Sequence, residues 1–175
     1  MKVEKQEQIL KCMAEVLNQN GFKAETMKAE NVPMILHAEP PKQGKAQMDV
    51  TVECCFIPMP LPGGEDNGML QFFVTLFLQN APKENFGHLR AACAYCNNFS
   101  AIGYFGLFDH AGQIFLKHNT LIDCSKDLQS IVTFFADNMS MVMSTVNRFI
   151  DGMTSVGFSG VTLDAAVEQE LFPKL

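Results

Sequence analysis

Residues 102–152 constrain the fold more than any other stretch of this chain. Two apolar runs, Ile102-Gly-Tyr-Phe-Gly-Leu-Phe108 and Gln113-Ile-Phe-Leu-Lys117, are separated by the turn residues Asp109-His-Ala-Gly112. After Asp123 the hydrophobic period lengthens from two to about 3.6. A hairpin feeding one long amphipathic helix predicts an α+β architecture. Leu128, Ile131, Val132, Phe135, Met139, Val142, Val146, Phe149, Ile150 and Met153 follow one another at spacings of three or four. Ser125 is the candidate cap and Asp127 falls in the first turn. This helix is expected to lie across one sheet face.

The remaining elements follow from the same signals. Ile9, Leu10, Met13, Val16 and Leu17 share a helical face, and Gly21 after Asn20 suits a left-handed terminus. Val32, Met34 and Leu36 alternate around Pro33, which restricts them to an edge strand or a strand start. Met48, Val50, Val52 and Cys54 alternate with polar residues as a strand with one wet face. Pro58, Pro60 and Pro62, with Gly63-Gly64-Glu65-Asp66-Asn67-Gly68, read as a surface loop between hairpin strands. Met69 to Leu78 is almost wholly apolar and predicts a central strand. Asn80, Pro82 and Glu84 start a helix whose buried stripe is Phe86, Leu89, Cys93 and Cys96. The expected order is α-β-β-β-α-β-β-α, a mainly antiparallel sheet of about five strands with helices packed on it. Residues 1–152 form this domain. Residues 153–175 read as a linker, Met-Thr-Ser-Val-Gly-Phe-Ser-Gly, and a short acidic helix marked by Leu163, Val167 and Leu171.

Asn97-Asn98-Phe99-Ser100-Ala101-Ile102-Gly103-Tyr104-Phe105, the Asp109-to-Gly112 turn and the polar-capped helix from Ser125 resemble the C-terminal half of the YbjN-type family of bacterial sensory transduction regulators. That family is similar in fold to the class I type III secretion chaperones. The likeness in element order covers residues 5–152, and the likeness in sequence covers about 80–152. The proline-rich loop at 58–68 and the tail after Gly152 depart from the pattern. The resemblance implies a nonenzymatic, protein-binding, often dimeric module of chaperone-like or regulatory type, and it carries over no catalytic residue.

Chemistry-bearing residues are present without the arrangement that chemistry needs. Cys93-Ala-Tyr-Cys96 has the spacing of a redox or metal pair, but it lies well inside a helix, where the N-terminal dipole that lowers a thiolate pKa is out of reach. Cys54 and Cys55 are adjacent on a strand and point to opposite faces, so they make a poor second ligand pair. His37, His88, His110 and His118 include no helical pair four residues apart, and Asp109-His110 belong to a turn. No nucleophile elbow or phosphate-binding loop occurs. The chain is therefore expected to be no enzyme and to hold no metal or cofactor.

With 13 Lys and Arg against 19 Asp and Glu, the net charge is −6 and the pI about 5.1, which disfavours nucleic acid and anionic lipid. No secretory signal or membrane span is evident, and six cysteines in such a chain read as reduced thiols of a cytoplasmic protein. Only 18% of residues are charged, while 15 phenylalanines and 11 methionines, three of them at Met139, Met141 and Met143, leave an apolar surplus. If helices cover one sheet face, the other is wet, covered by the tail, or docked to another chain. Phe73, Phe77 and Phe105 are the residues expected on that face, with a sheet edge or the face itself binding a partner protein and a homodimer presenting them. The alternative is a regulatory domain binding a small apolar ligand between the long helix and the sheet, among Met, Phe and Cys side chains.

Overall fold

The computed structural model describes residues 3–61, 66–76 and 79–174. The helix α1 (Val3–Gln19) buries Ile9, Leu10, Met13, Ala14 and Leu17 on one side. It ends as its glycine predicts. Gly21 has φ 84°, the Phe22 N–H donates to the Leu17 carbonyl at 3.1 Å, and the Gly21 N–H to the Asn18 carbonyl at 3.4 Å. Those two bonds satisfy carbonyls that the last helical turn leaves without partners.

Six strands follow in one sheet: β1 (Lys23–Met27), β2 (Ile35–Glu39), β3 (Thr51–Ile57), β4 (Asn67–Thr75), β5 (Tyr104–Phe108) and β6 (Gln113–Asp123). The spatial order is β1-β2-β3-β4-β6-β5 and every pairing is antiparallel. The helices are α2 (Phe86–Asn97), entered through a 3-10 turn at Lys83–Asn85, α3 (Leu128–Ser159) and α4 (Leu163–Glu168). The α+β class and the antiparallel sheet are as expected, with six strands instead of about five. The added strand is β1, Lys-Ala-Glu-Thr-Met, an edge strand whose composition carries no apolar alternation. β2 also starts later than the alternation around Pro33 suggests, because a proline has no N–H to give to a ladder. Of the proline-rich loop, Pro62 to Glu65 lie outside the described residues.

The pleat of the sheet sorts its side chains. Leu36, Val52, Leu70, Phe72, Leu116 and Ile122 turn toward the helices and are buried. α3 crosses this face, flanked by α1 and α2. The Phe72 and Phe135 rings meet edge to face at 5.1 Å, and Phe105 meets Phe149 at 5.5 Å. At the start of α3 the cap is Asp127, not Ser125. Its carboxylate accepts from the Ser130 N–H at 2.9 Å and the Ser130 hydroxyl at 2.7 Å, bonds that hold the Asp127 carboxyl below the usual range. Ser125 instead donates to Asp123.

The expected linker after Gly152 is not one. α3 continues unbroken to Ser159 and stops at Gly160, whose φ is 66°. Gly152 sits inside the helix because the ring of Phe172 lies against it; a Cβ there would stand 2.4 Å from that ring. Phe172 is buried, the Tyr95 hydroxyl donates to the Pro173 carbonyl, and Ala166 of α4 joins the same core. The short acidic helix exists, and it packs on α2 and α3.

Candidate functional site

Because the helices share one side, the opposite side of the sheet receives no helix among the described residues. Strand β4 alternates buried and half-buried positions along its length, and the half-buried ones face this open side. The registers align a row across all six strands there: Glu25, His37, Glu53, Phe73, Lys117 and Tyr104. A neighbouring row holds Met27, Ile35, Cys55, Gln71 and Asn119, and the next holds Ile57, Met69 and Leu121.

Aromatic rings gather at one end of this face. Phe73 stacks on Phe115 at 5.1 Å, Phe108 lies 4.6 Å from Phe115, and Tyr104 meets Phe115 edge-on at 6.1 Å. The cluster depends on Gly106, since a Cβ at that position would come within 2.4 Å of the Phe115 ring. Tyr104 remains 48% exposed, Phe108 36% and Leu121 48%. The ring cluster is an apolar patch of the kind that marks an interaction surface, and Leu121 stands apart from it beyond Gln71 and Asn119.

Of the three residues expected on this face, only Phe73 is placed there. Phe105 points the other way: it is 3% exposed and packs on Phe149 of α3. The reason is register. Tyr104 pairs with Lys117 and Phe105 with Leu116, and a shift of one residue along a strand reverses the face. Phe77 lies outside the described residues. Tyr104, Phe108, Phe115 and Lys117 were not singled out by sequence, although the alternation within Gln113–Lys117 places Phe115 and Lys117 on one face.

An asparagine caps one residue on each edge strand, while β6 beyond Lys117 pairs with β4 alone among the described strands. At β1, the Asn18 amide donates to the Ala24 carbonyl at 2.8 Å and its oxygen accepts the Ala24 N–H at 2.9 Å. At β5, Asn97 does the same to Phe105, donating to the carbonyl at 3.1 Å and accepting the N–H at 2.7 Å. Each amide occupies the place that the backbone of an added strand would take, a recognised way to blunt an edge.

The cysteines are distributed as structural thiols. Cys93 and Cys96 lie on the buried stripe of α2, and burial pushes the Cys93 thiol up to about 12 and that of Cys96 higher still. Burial also raises Cys54, which faces the helices, and Cys55, which faces the open side but is only half-buried and so more accessible. Native alkylation followed by mass spectrometry should therefore modify Cys12 and Cys55 first and reach Cys54, Cys93 and Cys96 only as the protein unfolds. Among the described residues, no group of three or more His, Cys, Asp or Glu side chains is placed to hold a metal. No helix among them is long and apolar enough to cross a membrane. His110 and Asp109 occupy the turn, where Asp109 pairs with Arg90 at 2.9 Å. His118 meets Asn138, the buried polar residue of α3, at 3.1 Å.

A second feature is a concavity of about 740 Å³ between the start of α1, the β1–β2 connection and the ends of β3 and β4. Val3, Leu10, Val32, Met34, Phe56 and Met69 supply apolar lining, with Glu7 and Lys28 paired at its rim. It lies away from the interface of α3 and the sheet, which is filled by aromatic rings. No protein-family model matches the chain, and no curated protein matches it significantly.

Proposed function

We propose that this chain is a nonenzymatic protein-interaction module, chaperone-like or regulatory, that binds a partner segment on its open sheet face. The cluster of Phe73, Tyr104, Phe108 and Phe115, on a face that no helix among the described residues covers, carries this reading. Strand addition gains its energy from free backbone groups; at β1 or β5 it must expel Asn18 or Asn97, and only β6 beyond Lys117 offers it an edge without such a cap. The resemblance of residues 80–152 to the YbjN-type regulators, and of the element order to the type III secretion chaperones, favours the same reading and a homodimer. The net charge of −6 argues against nucleic acid. Six free thiols suit a reducing cytoplasm.

Photo-crosslinking tests this. A crosslinking amino acid at position 73, 115 or 121 is expected to capture a partner chain, and one at the exposed Thr133 of α3 to capture none. Capture from position 133 alone would overturn the reading. A second reading, a regulatory domain for a small apolar ligand, rests on the concavity near α1, whose volume and lining are those of ligand sites. It requires a lipophilic mass retained in native mass spectrometry and lost in Val32→Asp.

A further inference from the structure

The row across the open face is ordered by charge. Glu25 and Glu53 stand on the β1–β3 side, Phe73 stands on β4, and Lys117 stands on β6. We infer that the occupant of this face is a second copy of the chain, packed sheet against sheet about a two-fold axis that runs along β4. This rests on the reading of the face as a docking surface and names what docks.

Two in-plane directions of a two-fold axis keep the strands of both copies aligned, as sandwich packing requires. An axis along the row, across the strands, sets Glu53 over Glu53 and Lys117 over Lys117, and like charges brought together oppose docking. An axis along β4 exchanges the two sides of the sheet. Glu53 of one copy then meets Lys117 of the second, and Lys117 meets Glu53, so each ion pair forms twice. Phe73 meets Phe73, and Tyr104 comes over His37. In the apolar row, Leu121 falls over Ile57 and Met69 over Met69, where Met69 pairs with both Ile57 and Leu121 within its own sheet. Charge and apolar contacts thus select the same axis. A near-parallel stacking of this kind is how sheets in a sandwich pack, at a separation of about 10 Å.

An axis along β4 sets β3 over β6 and β2 over β5 and leaves β1 outside the overlap. Strands about 4.8 Å apart and roughly 20 Å long then give on the order of 480 Å² of projected area per copy. That is smaller than the ~800 Å² per partner of a standard stable interface, so the dimer is expected to be concentration-dependent. Tyr104 and Leu121, each 48% exposed, would be covered by His37 and Ile57 of the second copy, and Phe115 would lie over Thr51.

Sedimentation velocity on the full chain, from about 1 to about 200 µM, tests the arrangement in wild type, Glu53→Lys, Lys117→Glu and the double exchange. Both side chains are on the open face, so circular dichroism should show all four folded. The wild type is expected to dimerise. Each single reversal alters two symmetry-related contacts and should raise the dissociation constant at least about tenfold, and the double exchange should return it to within about threefold. A monomeric wild type, single reversals that dimerise like the wild type, or a double exchange no tighter than the singles overturns the inference. If the wild type is monomeric while crosslinkers at 73, 115 and 121 capture a different protein, the second copy is wrong and the docking face stands. If those positions capture nothing, both fall.

Discussion

Phe172→Ala should lower the free energy of unfolding by about 3–5 kcal/mol, a large share of the ~5–15 kcal/mol that holds a domain together. The ring is 2% exposed, lies against Gly152, and stands 6.3 Å from the Tyr95 ring, whose hydroxyl binds the next residue's carbonyl. A tail that were an appendage would not show this. Urea unfolding of Phe172→Ala and of a chain ending at Ser159 should give losses of at least the same size. Gly152→Ala supplies a control whose sign is informative. Alanine is ordinarily better than glycine in a helix by about 1 kcal/mol. Here its Cβ would meet the Phe172 ring at 2.4 Å, and overpacking of that kind costs about 1–3 kcal/mol. Gly152→Ala should therefore destabilise the wild type and stabilise Phe172→Ala. Additive effects of the two substitutions, or an unchanged midpoint for Phe172→Ala, would show that the tail does not dock on α3.

This packing also explains what sequence reveals and what it hides. Periodicity carries α1, α3 and the strands around Val52, Phe72 and Leu116, because a face that is buried must be apolar at the period of its element. Gly152 misleads for a physical reason. In sequence a glycine in a helical pattern signals an end, while in space it is the one residue that lets Phe172 approach the helix axis. β1 is hidden because an edge strand pairs on one side only, and of Lys-Ala-Glu-Thr-Met only the small Ala24 is an apolar residue packed against the core. The open face was legible as an expectation of apolar surplus, but not in its membership. Phe105 and Phe115 look alike in sequence, and only the register of β5 on β6 sends one to the helices and the other outward. The registers likewise align Glu53, Phe73 and Lys117, three residues from three strands whose order of charge no local pattern contains.

Removing the edge asparagines should produce the second large effect, and an asymmetric one. Asn97→Ala leaves the outward N–H and carbonyl of Phe105 without their partner in a partly buried position beneath the end of α2. An unsatisfied group there costs about 1–3 kcal/mol. Asn18→Ala frees the matching groups of Ala24, but these are exposed and water replaces the amide, so the loss should stay near 0.5–1.5 kcal/mol. The consequence for assembly runs the other way. Uncapping Ala24 opens an edge that is already accessible, next to Thr26, the following outward position of β1, and a second sheet can then pair with it. Asn18→Ala should form concentration-dependent species larger than the wild type while remaining nearly as stable. Asn97→Ala should lose stability first, because the groups it uncaps are partly buried whereas those of Ala24 are exposed. Urea unfolding and sedimentation velocity on the two single variants separate these effects. Equal stability losses together with wild-type sedimentation in both variants would mean that the two amides are incidental contacts, and that the sheet edges again compete with the open face as the place where a partner strand is received.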